Sequence, residues 1–87
     1  MGLKSTYDRA NDVLYVKQEG CQIINSKESP DDSMLILNYD RTGKTVGIQL
    51  LFAGELVDAP HYVDDYPLTD EFKAAIRHAL NLSTPGI

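Results

Sequence analysis

Residues 38–51 read NYDRTGKTVGIQLL, and how this stretch is read decides the fold. The polar insert DRTGK (40–44) stands between SMLILNY (33–39) and TVGIQLLFA (45–53), the two strongest strand signals in the chain. Gly43 can take the positive φ that a short hairpin turn requires. The stretch therefore reads as an antiparallel hairpin. Its triplet YDR also occurs at 7–9, in TYDRANDVLYVKQ (6–18). In both copies a tyrosine ends a strand, with its ring on the sheet and its hydroxyl in water. The aspartate that follows, Asp8 or Asp40, opens a turn by accepting hydrogen bonds from backbone N–H groups two or three residues on. The turns differ, RAND against RTGK, so the echo marks one hairpin device used twice and not an internal duplication.

Working outward, DVLYVKQ (12–18) is a further strand, closed by the turn signal Glu19-Gly20, and CQIINS (21–26) reads as a weaker one. KESPDD (27–32) carries Pro30 and reads as a loop or an edge. GLKSTY (2–7) can add a fifth strand. GELVDAPHYVDDYP (54–67) has two prolines, four acids and no sustained period, and reads as an extended connection. LTDEFKAAIRHALNL (68–82) then reads as a helix. Thr69 is its N-cap, with Asp70 and Glu71 in the first turn, where they suit the helix dipole. Phe72, Ala75, Ile76, Ala79 and Leu80 form one apolar stripe, with Lys73, Arg77 and His78 off it. The helix is expected to stop near residues 81–82, before STPGI (83–87), where Pro85 and Gly86 oppose continuation.

The chain has 87 residues, which predicts one domain with a single core. No apolar run approaches the ~20 residues that span a bilayer, and MGLKSTYDR lacks the apolar core of a signal peptide. Gly2 and Thr6 fit a myristoylation pattern, but that pattern is short and Gly2 is more simply an ordinary residue. The single cysteine, Cys21, allows neither an internal disulfide nor a multi-cysteine zinc site. These features predict a cytoplasmic protein. Thirteen acids against eight bases give a net charge of −5. With no lysine or arginine cluster, neither nucleic acid nor an anionic membrane is an expected partner.

Tyr7-Asp8, Asp12, LYV (14–16) and LNYDRTGKTVGIQLL (37–51) together resemble domain of unknown function family 2283, a family of small uncharacterised bacterial proteins. The resemblance covers residues 6–57, about three-fifths of the chain. Members have a Tyr-Asp…Asp-x-Leu-Tyr-Ile opening and a D-x-x-G-x-x-V-G-I-E-I-L hairpin. Here Gln49 stands where the family has an acid. The resemblance implies a small β-rich fold with a helix and no known activity, so it supplies no catalytic residue.

Candidate chemistry is sparse. In DAPHYVDDY (58–66), His61, Asp64 and Asp65 are a candidate ligand site, since imidazole and carboxylate suit a divalent metal. His78 could add a nitrogen. A Pro-containing loop is, however, a poor frame for a site that needs three or four ligands, and acidic loops are commonly just solvated. No metal and no other cofactor is therefore assigned. Asp8, Asp12 and Asp40 could meet at one end of the sheet as an acid–base pair if their pKa values were split; as turn caps they need no substrate. Cys21 is a possible nucleophile, but a free cysteine is more often a small apolar filler. No phosphate-binding glycine loop, nucleophile elbow or H-E-x-x-H motif occurs.

The apolar pattern is more informative. Leu35, Leu37 and Tyr39 oppose Met34 and Ile36; Val46, Ile48, Leu50 and Phe52 oppose Leu51 and Ala53; Val13 and Tyr15 oppose Leu14 and Val16. A sheet covered on one side should alternate more cleanly than this. The expected fold is α+β over residues 1–87: a four- or five-stranded antiparallel meander (1–57), then the connection and a C-terminal helix packed on one face (58–87). One helix covers one face, so a homodimer is expected, through the open face, through an edge strand such as residues 45–53, or by exchange of the helix. The expected role is a non-enzymatic, self-associating interaction module, regulatory or accessory, with other protein partners unknown. The alternative is a small-ligand or metal-dependent enzyme built on His61 and Asp64.

Overall fold

The computed structural model describes residues 2–30 and 32–81. Five strands, β1 (Leu3–Asp8), β2 (Val13–Gln18), β3 (Asn25–Ser29), β4 (Asp32–Tyr39) and β5 (Thr45–Leu51), form one antiparallel sheet. A short helix α1 (Glu55–Asp58), a 3-10 segment (Pro60–Asp65) and the helix α2 (Asp70–Ala79) follow. The α+β class and the antiparallel sheet agree with the sequence reading, including the fifth strand at the start.

The strand order is β1-β2-β5-β4-β3, so the sheet is not a meander throughout. β5 lies in the centre, paired to β2 on one side and to β4 on the other. The physical reason is burial. VLYV, LIL and VGIQLL are the most apolar strands and occupy the middle, while LKSTYD and NSKES, largely exposed, form the edges. β5 is therefore not an edge strand, and edge pairing through residues 45–53 is excluded. Residues 21–24 are not strand: they belong to the connection that carries the chain from β2 to the far edge, and Ile23 and Ile24 are exposed there. β3 begins at Asn25 and takes in residues read as loop. Its polar sequence, with a register shift at Glu28/Ser29, is the blunted edge that resists unwanted pairing.

Alternation along each strand assigns the faces. Leu14, Val16, Leu35, Leu37, Ile48 and Leu50 point to one side, where they pack with Leu56, Val63, Tyr66, Phe72 and Ile76 from the C-terminal part. The apolar stripe of α2 supplies Phe72 and Ile76, and Ala75, Ala79 and Leu80 flank the same core. Thr69 caps α2, its hydroxyl accepting from the Phe72 N–H. α2 ends at Ala79, with Leu80 as its C-cap and Asn81 at a φ of +60°, slightly before the expected stop near 81–82; residues 82–87 lie outside the described ones.

Residues 54–67 are not an extended connection. α1 and the 3-10 segment bring Leu56 and Val63 into the core, and Pro60 sits in the first turn of the 3-10 segment, where its missing N–H costs nothing. Phe52 does not continue the inward face of β5: its φ of +54° turns the chain and leaves its ring exposed. Among the described residues no helix is long and apolar enough to cross a membrane.

Candidate functional site

The carboxylates considered as an acid–base set do not meet. Asp8 and Asp12 flank the β1–β2 turn, at the end of the sheet where β5 finishes; Asp40 opens the β4–β5 turn, at the end where β5 begins. Each is engaged locally. Asp8 accepts from the N–H groups of Ala10 and Asn11 and from the Asn11 side-chain amide (2.9 Å). Asp40 Oδ1 accepts from the Thr42 N–H (2.9 Å), the Thr42 hydroxyl (2.7 Å) and the Lys44 N–H (3.1 Å). These donors favour the ionised form. Asp8 is held below the usual carboxylate range chiefly by the Asn11 amide, and Asp40 chiefly by the Thr42 hydroxyl. Gly43 has a φ of +84°.

Asp12 works at longer range. Its Oδ1 accepts from the Tyr7 hydroxyl and from the N–H of Gly54 (2.9 Å), and its carbonyl accepts from the Ala53 N–H (3.1 Å). It thus pins the β1–β2 turn to the exit of β5, 42 residues on. A Cβ at Gly54 would sit 3.2 Å from the Asp12 carboxylate oxygens, so a larger residue there would have to push that carboxylate back by a few tenths of an ångström. The bond to Asp12 raises the Tyr7 pKa, because the phenol must keep its proton to donate.

These contacts carry a prediction. Gly43→Val should cost ~1–3 kcal/mol through forced left-handed backbone, and Asp40→Ala should lower the melting temperature at neutral pH. A depressed carboxylate stabilises the fold above its unfolded-state pKa, and that stability is lost as pH falls through the folded-state value. The gap between wild type and Asp40→Ala should therefore close in acid. Thermal melts from neutral to acid pH check both points; a gap that stays constant with pH would show that the carboxylate does not hold the turn.

The region of His61, Asp64 and Asp65 forms the 3-10 segment. His61 is exposed and lies against the Tyr62 ring, with centroids 4.4 Å apart. Asp64 Oδ1 pairs with Arg77 Nη2 of α2 at 2.6 Å, and the Asp64 carbonyl accepts from Lys73 Nζ at 2.9 Å. Arg77 is buried and Asp64 half exposed, so this pair ties the segment to α2 from a partly screened position. Asp65 is exposed. Among the described residues no group of three or more His, Cys, Asp or Glu side chains is placed to hold a metal ion. Cys21 lies half-buried in the β2–β3 connection.

Two surfaces remain. One is the sheet face away from the helices. Across it runs the row Thr6–Tyr15–Gln49–Ile36–Glu28, flanked by Asp8–Val13–Leu51 on one side and Lys4–Lys17–Gly47–Asn38–Ser26 on the other. Its apolar residues, Val13, Tyr15, Ile36 and Leu51, surround the polar Gln49 of the central strand, and its margins are polar. The other surface is a cleft of about 250 Å³ at the end of the sheet where β5 leaves it, lined by residues of β4, β5, α1 and the 3-10 segment, including Met34, Phe52 and Tyr62. Sequence reasoning missed the cleft and Arg77, since neither a positive φ at Phe52 nor the reach of Asp64 to α2 has a local signal.

The chain is 36% identical over 62 residues to an uncharacterized protein of Methanocaldococcus jannaschii, a match covering 71% of this chain and 51% of that relative. It thus spans about half the length of the curated relative. No solved structure matches it. Residues 4–53, which hold the sheet except for Leu3, match the family described as protein of unknown function (DUF2283), and the chain belongs to that family.

Proposed function

We propose that this protein is a non-enzymatic interaction module that self-associates through the uncovered face of its sheet. The observation that carries this reading is the group of apolar side chains around Gln49 on that face. Tyr15, Ile36 and Leu51, beside the buried Val13, stand where an antiparallel sheet facing water would carry polar residues, and Tyr15 is 40% exposed. Apolar side chains, a tyrosine among them, within a polar rim are the anatomy of a protein interface.

The rim favours a second copy as the occupant. Lys4 and Lys17 face each other across β1 and β2, a like-charge pair that gains from an acidic neighbour, while Glu28 lies on the opposite edge strand. A two-fold axis along the strands lays β1 of one protomer over β3 of the other and moves the lysines towards Glu28 of the partner subunit, using one patch twice. Five strands at ~4.8 Å spacing and ~20 Å length offer roughly 500 Å² per copy. Two such faces approach the ~1,000 Å² that marks a biological interface, so exchange between monomer and dimer is expected near micromolar concentrations.

Sedimentation velocity tests this. Wild type should show a dimer that dissociates on dilution, and Tyr15→Glu with Ile36→Glu should give a folded monomer. A wild-type monomer at all concentrations, or a double variant that still pairs, would overturn the reading.

A further inference from the structure

The cleft beside the end of β5 shares Leu51 with the sheet face and otherwise carries its own chemistry. Of the large apolar side chains exposed among the described residues, Met34, Phe52, Val57 and Tyr62 all lie in or beside the segments that line it, and three of these are more than half exposed: Phe52 52%, Tyr62 55% and Val57 56%. Leu56 and Tyr66 form its buried side. Such residues, aromatics above all, are the anchors that supply most of the free energy of protein interfaces.

Phe52 is held outward at a backbone cost. A bulky residue at a φ of +54° is strained. The strain persists because the neighbouring amides are tied: the Ala53 N–H to the Asp12 carbonyl, the Gly54 N–H to the Asp12 carboxylate and the Glu55 N–H to the Phe52 carbonyl. Strained backbone concentrates where a side chain must be presented.

Charge and size select the occupant. Among the described residues Glu55 is the one charged residue lining the cleft, and the segment 51–66 carries Glu55, Asp58, Asp64 and Asp65 with no lysine or arginine. Asp64 is engaged by Arg77, which leaves Glu55 on the lining, with Asp58 one turn on in α1 and Asp65 as further exposed acids of the same segment. Sites for whole small molecules run ~300–1,000 Å³; about 250 Å³ is better matched to one or two side chains of a larger partner. We propose that this cleft docks a basic segment of another protein, which inserts an apolar side chain between Phe52 and Tyr62 while its lysines or arginines face Glu55, Asp58 and Asp65. This surface adjoins the one proposed for self-association at Leu51 and extends away from it over α1 and the 3-10 segment.

The test uses the full chain and synthetic nine-residue peptides. One has a central Phe-Leu flanked by lysines, one the same centre flanked by glutamates, and one is lysine-rich with no apolar residue. Amide chemical shifts report where each binds, and calorimetry reports how tightly. The lysine-flanked apolar peptide should bind, with shifts confined to Met34 and residues 50–66, and the other two should not. Phe52→Gly, which removes the ring and suits the backbone, and Glu55→Lys should each weaken binding by about tenfold or more. Tyr15→Glu with Ile36→Glu should leave it unchanged, which separates this site from the sheet face. Equal binding of the lysine and glutamate peptides, shifts elsewhere, or an unaffected Phe52→Gly variant would overturn the proposal. So would phenethylammonium binding as tightly as the peptide, because that would mark a small-cation site.

Discussion

Ile76→Asp should yield no soluble, folded protein. Ile76 is 0% exposed and packs in the cluster with Leu14, Val16 and Phe72, which joins α2 to the sheet. A carboxylate there has no partner and is heavily penalised, by several kcal/mol even after it takes up a proton. A small domain has only ~5–15 kcal/mol of stability in total. Ala74→Asp is the control, since Ala74 is exposed on the same helix and its substitution should leave the melt near wild type. Lys73 would be a poorer control because its ammonium donates to the Asp64 carbonyl. Soluble yield and far-UV circular dichroism decide the matter, and equal tolerance of both changes would mean that α2 does not close the core.

The second large effect is expected at Ile48, in the middle of the central strand. It is fully buried, with Val16 opposite on one side and Leu37 on the other. Ile48→Ala should cost ~2–5 kcal/mol and Ile48→Val only ~0.5–1.5, because the alanine leaves a cavity that two flanking strands cannot both close. Urea unfolding checks this through the midpoint at constant slope. A loss below about 1 kcal/mol for the alanine variant would place Ile48 outside the tightly packed centre.

The features legible in the sequence were those with a local cause. Alternation in MLILNY and VGIQLL marked two strands, and the 3.6-residue stripe with Thr69 in front marked α2. The features that escaped depend on distant partners. NSKES has no strand signal of its own and becomes β3 because β4 offers it an edge. The order of strands is set by which ones are most apolar, a comparison across the whole chain. Arg77 lies off the apolar stripe, yet it is buried because Asp64, 13 residues earlier, supplies its counter-charge. The cleft depends on the left-handed turn at Phe52, which the sequence presents as one more apolar residue after Leu51.

The place of β5 in the sheet also has a temporal consequence. β1–β2 and β3–β4 are two hairpins that share no ladder; β5 is the strand that joins them. A chain growing from its N-terminus therefore holds two separate hairpins, each marginal in water, until the ribosome has released residue 51. Nothing short of that length can form the sheet, and its completion is one cooperative event. Pausing or truncation before Thr45 should leave a protease-sensitive chain, whereas one carried through β5 and α2 should become resistant in a single step.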